Sequence, residues 1–325
     1  MQEVISKAVE LLESGKADRV LGWKTGEFFY DLTPAVFETK EEIEKEFVFS
    51  PFCGANLSKY LIAESRKGGK VAAFLKPCDS YSFVQLLKEH RILRENVYVV
   101  GLACDGMCDM EKLREKGVKG ATAIREDGEN LVCETLYGEK TVARRDAIAD
   151  RCVTCKSHKV VLFDEMLGEN GEVEPDCGRF EQVRKLEAMT PEERFAFWQG
   201  ELSRCIRCNA CRNVCPACSC EKCVFDNDQL GTANKAAATS FEEQNFHIIR
   251  AFHVASRCTD CGECSRVCPQ HIPLHLLNRK FIKDINELYG EYQAGADLET
   301  KPPLMDFTKD DCEPSVVYER GGSKA

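Results

Sequence analysis

Hydrophobic positions at Val4, Ile5, Ala8, Val9, Leu11 and Leu12 recur with a helical period, which predicts an amphipathic helix over 1–14. Downstream the period changes. Apolar, β-branched or aromatic runs at 18–23, 27–32, 47–50, 70–75 and 97–102 read as strands, and helical patterns at 55–66, 80–90 and 109–116 are interleaved with them. This alternation predicts an α/β domain with a largely parallel sheet over residues 1–180. Gly168, Gly171, Pro175 and Gly178 punctuate its end. Thr190-Pro191-Glu192-Glu193 then reads as a helix start, with Thr as N-cap, Pro in the first turn and Glu three residues after the cap. It places a connecting helix over 181–200. Two further helical patterns, at 241–256 and 274–289, lie in a helical domain over 201–290. The first offers Phe241, Phe246, Ile249 and Phe252 for packing. Residues 291–325 read as an extended tail, in which Pro302, Pro303, Leu304, Met305 and Phe307 form a short apolar segment suited to ordering on a partner.

The chain of 325 residues is 43% hydrophobic and 30% charged, ordinary for a globular protein. A net charge of −10 argues against a nucleic-acid partner, which would favour a basic face. No apolar run approaches the roughly 20 residues of a membrane span, and no secretory signal opens the sequence. Twenty cysteines are the unusual feature. In a cytoplasmic, reducing setting, metal binding explains them better than disulfides do.

Twelve of these cysteines fall into patterns. Cys205, Cys208, Cys211 and Cys215, followed by Pro216, are echoed by Cys258, Cys261, Cys264 and Cys268, followed by Pro269. Each copy is the C-x2-C-x2-C-x3-C-P run of a protein with two [4Fe–4S] clusters, in which the fourth cysteine serves the other cluster. Crossed ligation predicts one set of Cys205, Cys208, Cys211 and Cys268 and another of Cys258, Cys261, Cys264 and Cys215. Two zinc sites are the alternative, since four thiolates also suit zinc. In the first domain Cys78 and Cys104 follow predicted strands, where ligands of open α/β sheets gather, and Cys152 and Cys155 form a metal-type pair. These four could form a third site, with Cys53 and Cys108 as alternates. They could equally be buried structural cysteines, or a zinc or redox pair that His158 completes. Cys218, Cys220 and Cys223 crowd behind the first motif, as extra ligands, tuning thiols or inert packing. Cys133, Cys177 and Cys312 read as unliganded, and His90, His247, His253, His271 and His275 as packing or surface residues.

The helical spacer between the motifs resembles that of α-helical ferredoxin domains, as in succinate dehydrogenase iron–sulfur subunits and the small heterodisulfide reductase subunit. Over roughly 15–290 the segments Ser50-Pro51-Phe52-Cys53-Gly54-Ala55-Asn56-Leu57, Lys76-Pro77-Cys78-Asp79-Ser80, Gly101-Leu102-Ala103-Cys104-Asp105-Gly106-Met107 and Cys152-Val153-Thr154-Cys155 resemble the beta-subunit family of deazaflavin-reducing hydrogenase and formate dehydrogenase. That resemblance implies a third [4Fe–4S] cluster in the first domain, an FAD beside it, and the deazaflavin coenzyme as a further substrate. Gly54, Asn56 and Asp79, in strand-end loops, are the residues placed to touch a flavin, although loop capping explains them equally well. No G-x-G-x-x-G follows a strand. The expected function is an electron-transfer subunit of a multi-subunit oxidoreductase, partnered by a catalytic dehydrogenase or hydrogenase or a heterodisulfide reductase-like subunit. A flavin-free wiring module and a thiol–disulfide reductase using Cys218, Cys220 or Cys223 are the rival readings.

Overall fold

The buried run Val71–Leu75 (β3) sits at the centre of a five-stranded sheet in the computed structural model, which describes residues 2–175, 177–226 and 240–305, the side chains of 240–243 excepted. An all-apolar strand suits a position covered on both faces. The other strands are Arg19–Thr25 (β1), Leu32–Phe37 (β2), Val97–Leu102 (β4) and, far along the chain, Glu165–Leu167, in the order β2-β1-β3-β4 and then the 165–167 strand. β1, β3, β4 and 165–167 run parallel, while β2 is antiparallel to β1, so the sheet is mixed.

The strand expected at 27–32 lies one element later. Phe28, Phe29 and Tyr30 stack on one another in the turn, and the strand begins at Leu32. Pro34 fits there because β2 is an edge strand, where a missing N–H is tolerated. The run at 47–50 makes only a single bridge, Phe47 to Lys24. The Phe47 ring lies over Gly22, where a Cβ would come 2.1 Å from it. The pattern at 55–66 breaks into a 3-10 turn, Ser58–Tyr60, and one helical turn, Leu61–Glu64.

A three-stranded antiparallel sheet that the hydrophobic pattern does not announce follows: Ala121–Asp127 (β5), Asn130–Thr135 (β6) and Gly138–Ala143 (β7). Two-residue loops join them, with Gly128 at φ +57°. Leu131 and Cys133 of β6 pack with Leu113 and Val142 in a separate small core.

The predicted helix start at Thr190 is formed: its side chain accepts from the Glu193 N–H, Glu193 answers in a capping box, and Pro191 opens the helix Pro191–Ser203. A shorter helix, Glu181–Glu187, precedes it. Helices Ser240–Val254 and Leu274–Tyr289 frame the cysteine motifs. Phe246 is buried and Ile249 half-buried, whereas Phe252 is exposed and packs edge-on to Phe281; the Phe241 side chain lies outside the described residues. Residues 291–301 fold back on their own chain: the Tyr292 hydroxyl donates to Ser256 O at 2.9 Å, Lys88 reaches Thr300 O, and Gly295 lies against the Tyr81 carbonyl, 1.9 Å from where a Cβ would be. Phe307 and Cys312 lie outside the described residues.

The second cysteine motif packs on the carboxyl ends of β3 and β4, and the seam is polar and buried. Arg151 bonds Glu263, whose second oxygen accepts from the Asn56 N–H at 3.1 Å. Arg179 and Arg279 both hold Asp260, at 3.1 and 2.8 Å. Burial pushes both carboxyls upward, but the surrounding cations win. Arg279, Arg179 and Lys156 bring Asp260 down to about 2, and Arg266 and Arg151 bring Glu263 to about 2. Removing one member of a buried pair costs about 3–5 kcal/mol. Glu263→Gln, which strands Arg151 and Arg266, should therefore lower stability by about that amount, read as an earlier urea midpoint in anaerobic unfolding of protein with matched iron content.

Candidate metal centres

Pro77 starts the helix Pro77–Lys88 directly after β3, which sets Cys78 at the sheet's carboxyl edge. Lys76, just before it, is fully buried and paired with Asp79 at 2.9 Å. Cys104 follows β4, and the short helix Asp150–Val153 delivers Cys152 and, just beyond it, Cys155. All four thiols line one cavity, with Lys76, Arg151 and His158. His158 is held by Cys104 O at 2.7 Å from Nδ1. Cys261 and Asp260 of the second motif line the same cavity, so it reaches the domain seam.

The alternates Cys53 and Cys108 stay out of that cavity. Cys53 is buried in the main core and accepts from the Ser50 N–H at 3.3 Å; Cys108 packs in the small core with Leu113. Cys133 is buried there too. Burial is the largest cause raising the Cys104 thiol, to about 11. Such a thiol ionises only with a cation beside it, and a coordinating metal supplies one.

In the helical domain Cys205, Cys208, Cys211 and Cys268 line a second cavity, roofed by Phe246, His247, Ile272 and Leu274. The crossed reading of the spacing had grouped these four. His247, read as packing, has Nε2 3.2 Å from the Cys205 Sγ. Of the other four, Cys215 packs with Cys258, Cys264 packs in one core with Cys211, and Cys261 lines the first-domain cavity. Burial is the largest cause raising the thiols of Cys258, Cys261 and Cys264, the first to about 12, and the Cys215 thiol is among the charges that raise all three. Asn278 Nδ2 points at the Cys264 Sγ from 3.7 Å.

The two motifs share a backbone form. Arg207 and Asn209 flank Cys208 with φ of 55° and 62°, and Asp260 and Gly262 flank Cys261 with 60° and 69°. Non-glycine residues rarely adopt such angles; here they curl each loop so that its cysteines face inward. Among the described residues no group of three or more His, Cys, Asp or Glu is drawn in tightly enough to hold a single metal ion. Two of the three thiol sets each line one cavity, Cys78, Cys104, Cys152 and Cys155 at the sheet edge and Cys205, Cys208, Cys211 and Cys268 in the helical domain, the arrangement that four-cysteine ligation of a cube requires.

Cys218, Cys220 and Cys223 line a separate open pocket with Lys59, Arg91, Arg212, Arg250 and Arg257. The Cys218 N–H donates to Cys215 O at 3.1 Å. Gly54, Asn56 and Asp79 do not offer a flavin an open edge. The Gly54 carbonyl accepts from Arg151 at 2.9 Å, and Arg151 and Arg266 stand where a Cβ would be. Asn56 Nδ2 donates to Ser82 Oγ at 3.1 Å, and Asp79 holds Lys76. The strand-end position was legible in sequence; its coverage by the second motif was not.

Comparison with known proteins bears on the second half of the chain first. Residues 201–272 match the 4Fe-4S dicluster domain. The chain is 25% identical to the F420-dependent formate dehydrogenase subunit beta of Methanocaldococcus jannaschii, over 92% of each chain. It is also 25% identical to the F420-dependent formate dehydrogenase 1 subunit beta of Methanococcus maripaludis, over 90% of each. A chain of the F420-reducing [NiFe] hydrogenase complex from Methanosarcina barkeri aligns with 63% of this chain and 90% of its own, at 16% identity and a TM-score of 0.40. The resemblance to formate dehydrogenase beta subunits thus stands. No helix among the described residues is long and apolar enough to cross a membrane.

The loop geometry makes an asymmetric prediction. At Gly262 a Cβ would lie 2.7 Å from the Arg151 Cβ. Gly262→Asn should therefore lose iron and thermal stability, although asparagine serves at the equivalent position 209. Asn209→Gly should keep both, as read by iron assay and melting temperature.

Proposed function

We propose that this chain is the iron–sulfur wiring subunit of an oxidoreductase complex, with three [4Fe–4S] clusters in a row. Cys78, Cys104, Cys152 and Cys155 hold the first, Cys258, Cys261, Cys264 and Cys215 the middle one, and Cys205, Cys208, Cys211 and Cys268 the last. When bound, such clusters take up and release single electrons. The observation that carries the reading is the four-thiol cavity at the sheet edge that also touches Cys261. It supports a continuous path from the first domain into the second.

The residues of the chain do the rest. The sheet edge and the two curled loops fix thiol positions. Phe246, Ile272 and Leu274 exclude water from the last site, while Lys76 and Arg151 offset negative charge at the first. Cys208 is exposed and Ile206 beside it is 62% exposed. We assign the contact with a partner subunit to this end, where the shielding protein is thinnest. The relatives named above belong to formate dehydrogenases, and a partner of dehydrogenase or hydrogenase type is the one this reading favours. The FAD that the resemblance implies does not fit Gly54, Asn56 and Asp79, and no step is assigned to it or to a deazaflavin coenzyme.

Anaerobically prepared protein should contain about 12 iron and 12 sulfide per chain. About 8 of each would remove the first-domain cluster and keep the other two, whereas zinc without acid-labile sulfide would remove all three. Flavin released by acid from the same samples would place the FAD implied by the resemblance elsewhere than at Gly54, Asn56 and Asp79.

Ligand crossing has its own test. Cys215→Ser should abolish the same reduced-state paramagnetic signal as Cys261→Ser, not the signal abolished by Cys208→Ser. Loss of the Cys208-type signal would reassign Cys215 to its own motif.

A further inference from the structure

Two buried arginines bond to backbone carbonyls of the cysteine motifs, Arg151 at Cys261 and Arg250 at Cys211. Arg151 is buried and lines the four-thiol cavity. Its Nη1 donates to Cys261 O at 3.0 Å and its Nη2 to Gly54 O at 2.9 Å. The charges that act on it come from both sides of the seam: Glu263 and Cys261 on one, Cys152 and Cys78 on the other. Room for its stem is made by Gly262, whose Cβ would collide with it. Arg250, on the helix Ser240–Val254, is 4% exposed. Its Nη2 donates to Cys211 O at 3.0 Å. Cys211 packs in one small core with Cys264 of the other set, and the thiols that act on Arg250 are Cys215, Cys218, Cys264 and Cys211, of which Cys218 lies outside both sets in the neighbouring pocket.

Arg151 thus stands where the first-domain thiols meet Cys261, and Arg250 is bonded to Cys211, which packs with Cys264 of the next set. In each, the Nε–H is buried and meets no acceptor among the protein atoms. A buried unpaired donor costs about 1–3 kcal/mol, more on a charged group, so these two call for an acceptor that the protein atoms do not supply. A cluster sulfur is such an acceptor, and hydrogen bonds and positive charge at cluster sulfurs raise the reduction potential.

Building on the three-cluster reading, we propose that Arg151 and Arg250 are positioning residues that set the potentials of the relay, each shared by the two clusters it separates, with its Nε–H given to a cluster sulfur. Arg151 couples the first-domain cluster to the middle one, and Arg250 couples the middle one to the last. The middle cluster, flanked by both, feels both charges.

The test is a redox titration followed by electron paramagnetic resonance on the full chain, prepared anaerobically, in Arg151→Gln, Arg151→Lys, Arg250→Gln and Arg250→Lys. Signals are assigned with Cys78→Ser, Cys261→Ser and Cys208→Ser. Arg151→Gln should move the first-domain and middle clusters to lower potential and leave the last unchanged. Arg250→Gln should lower the middle and last and leave the first unchanged. The Lys variants keep the charge but withdraw the Nε donor, and should shift the same pairs by less. Full iron loading with all potentials as in the parent protein would overturn the proposal, as would equal shifts of all three signals. A variant that loads less iron is judged by which sites empty: the two flanking ones support the proposal, the distant one overturns it. A parent protein with only two signals and about 8 iron would fail the first-domain reading, yet leave the Arg250 arm fully testable.

Discussion

Burying Arg151 against Glu263 is the contact on which the rest of the molecule depends. It joins the sheet domain to the second cysteine loop, and its guanidinium also holds Gly54 O and Cys261 O. A buried ion pair is rarely a net source of stability, because desolvating both charges offsets most of their attraction. An apolar seam would have joined the domains as firmly. The polar seam has a different logic. On the three-cluster reading, the ligand thiolates on either side bring negative charge into a buried region, and fixed cations must accompany it. Arg151, Lys156, Arg179, Arg250 and Arg279 crowd the same few elements as the thiols, and Asp260 and Glu263 are the carboxylates that anchor three of these cations.

The two cysteine loops show how one backbone form serves two environments. Both curl through the same pair of left-handed residues. In the first loop, Asn209 is half-buried, Cys208 lines the cavity yet stays exposed, and Arg207 is laid 3.7 Å over the Phe246 ring. In the second, Gly262 must lack a side chain because Arg151 passes there. Repeat symmetry thus breaks at the residue where the loop meets the other domain. The row of thiol sets gains a buried end against the sheet and an exposed end near Ile206.

How much of this was legible in sequence depended on the range of the interaction. Cysteine spacing is local, and so is the Thr190 capping box; both could be read directly, and the rule of crossed ligation groups Cys268 with Cys205, Cys208 and Cys211, which line one cavity. The buried run 71–75 announced the central strand. β5 to β7 were missed because their residues are mostly polar or exposed, with few apolar alternations to mark a strand. The aromatic run at 28–30 read as a strand because β propensity cannot distinguish rings that pack on each other in a turn from rings that pack on a sheet. Arg151 was invisible for a stronger reason: its partner Glu263 is 112 residues away. Only its place beside Cys152 hinted at a role.

The same limit explains the strand-end loops. In an open α/β sheet the carboxyl ends of the strands form a crevice, and a sequence rule rightly directs attention there. What fills the crevice is a tertiary matter. Here the occupant is the chain's own second motif. Asn56 spends its backbone N–H on Glu263, Ser82 faces Thr259 at 2.8 Å, and Lys156 reaches Thr259 O. Residues 291–301 fasten the arrangement from the far side through Tyr292 and Gly295. Electron transfer between centres requires their separation to be fixed, and hinged domains joined by one linker would not fix it. A seam built from short charged contacts, with backbone carbonyls as acceptors on both sides, resists sliding because each contact is directional. The crevice that other α/β proteins leave open for a diffusible ligand is closed here, and the position it offers goes to four cysteines facing the next set of thiols.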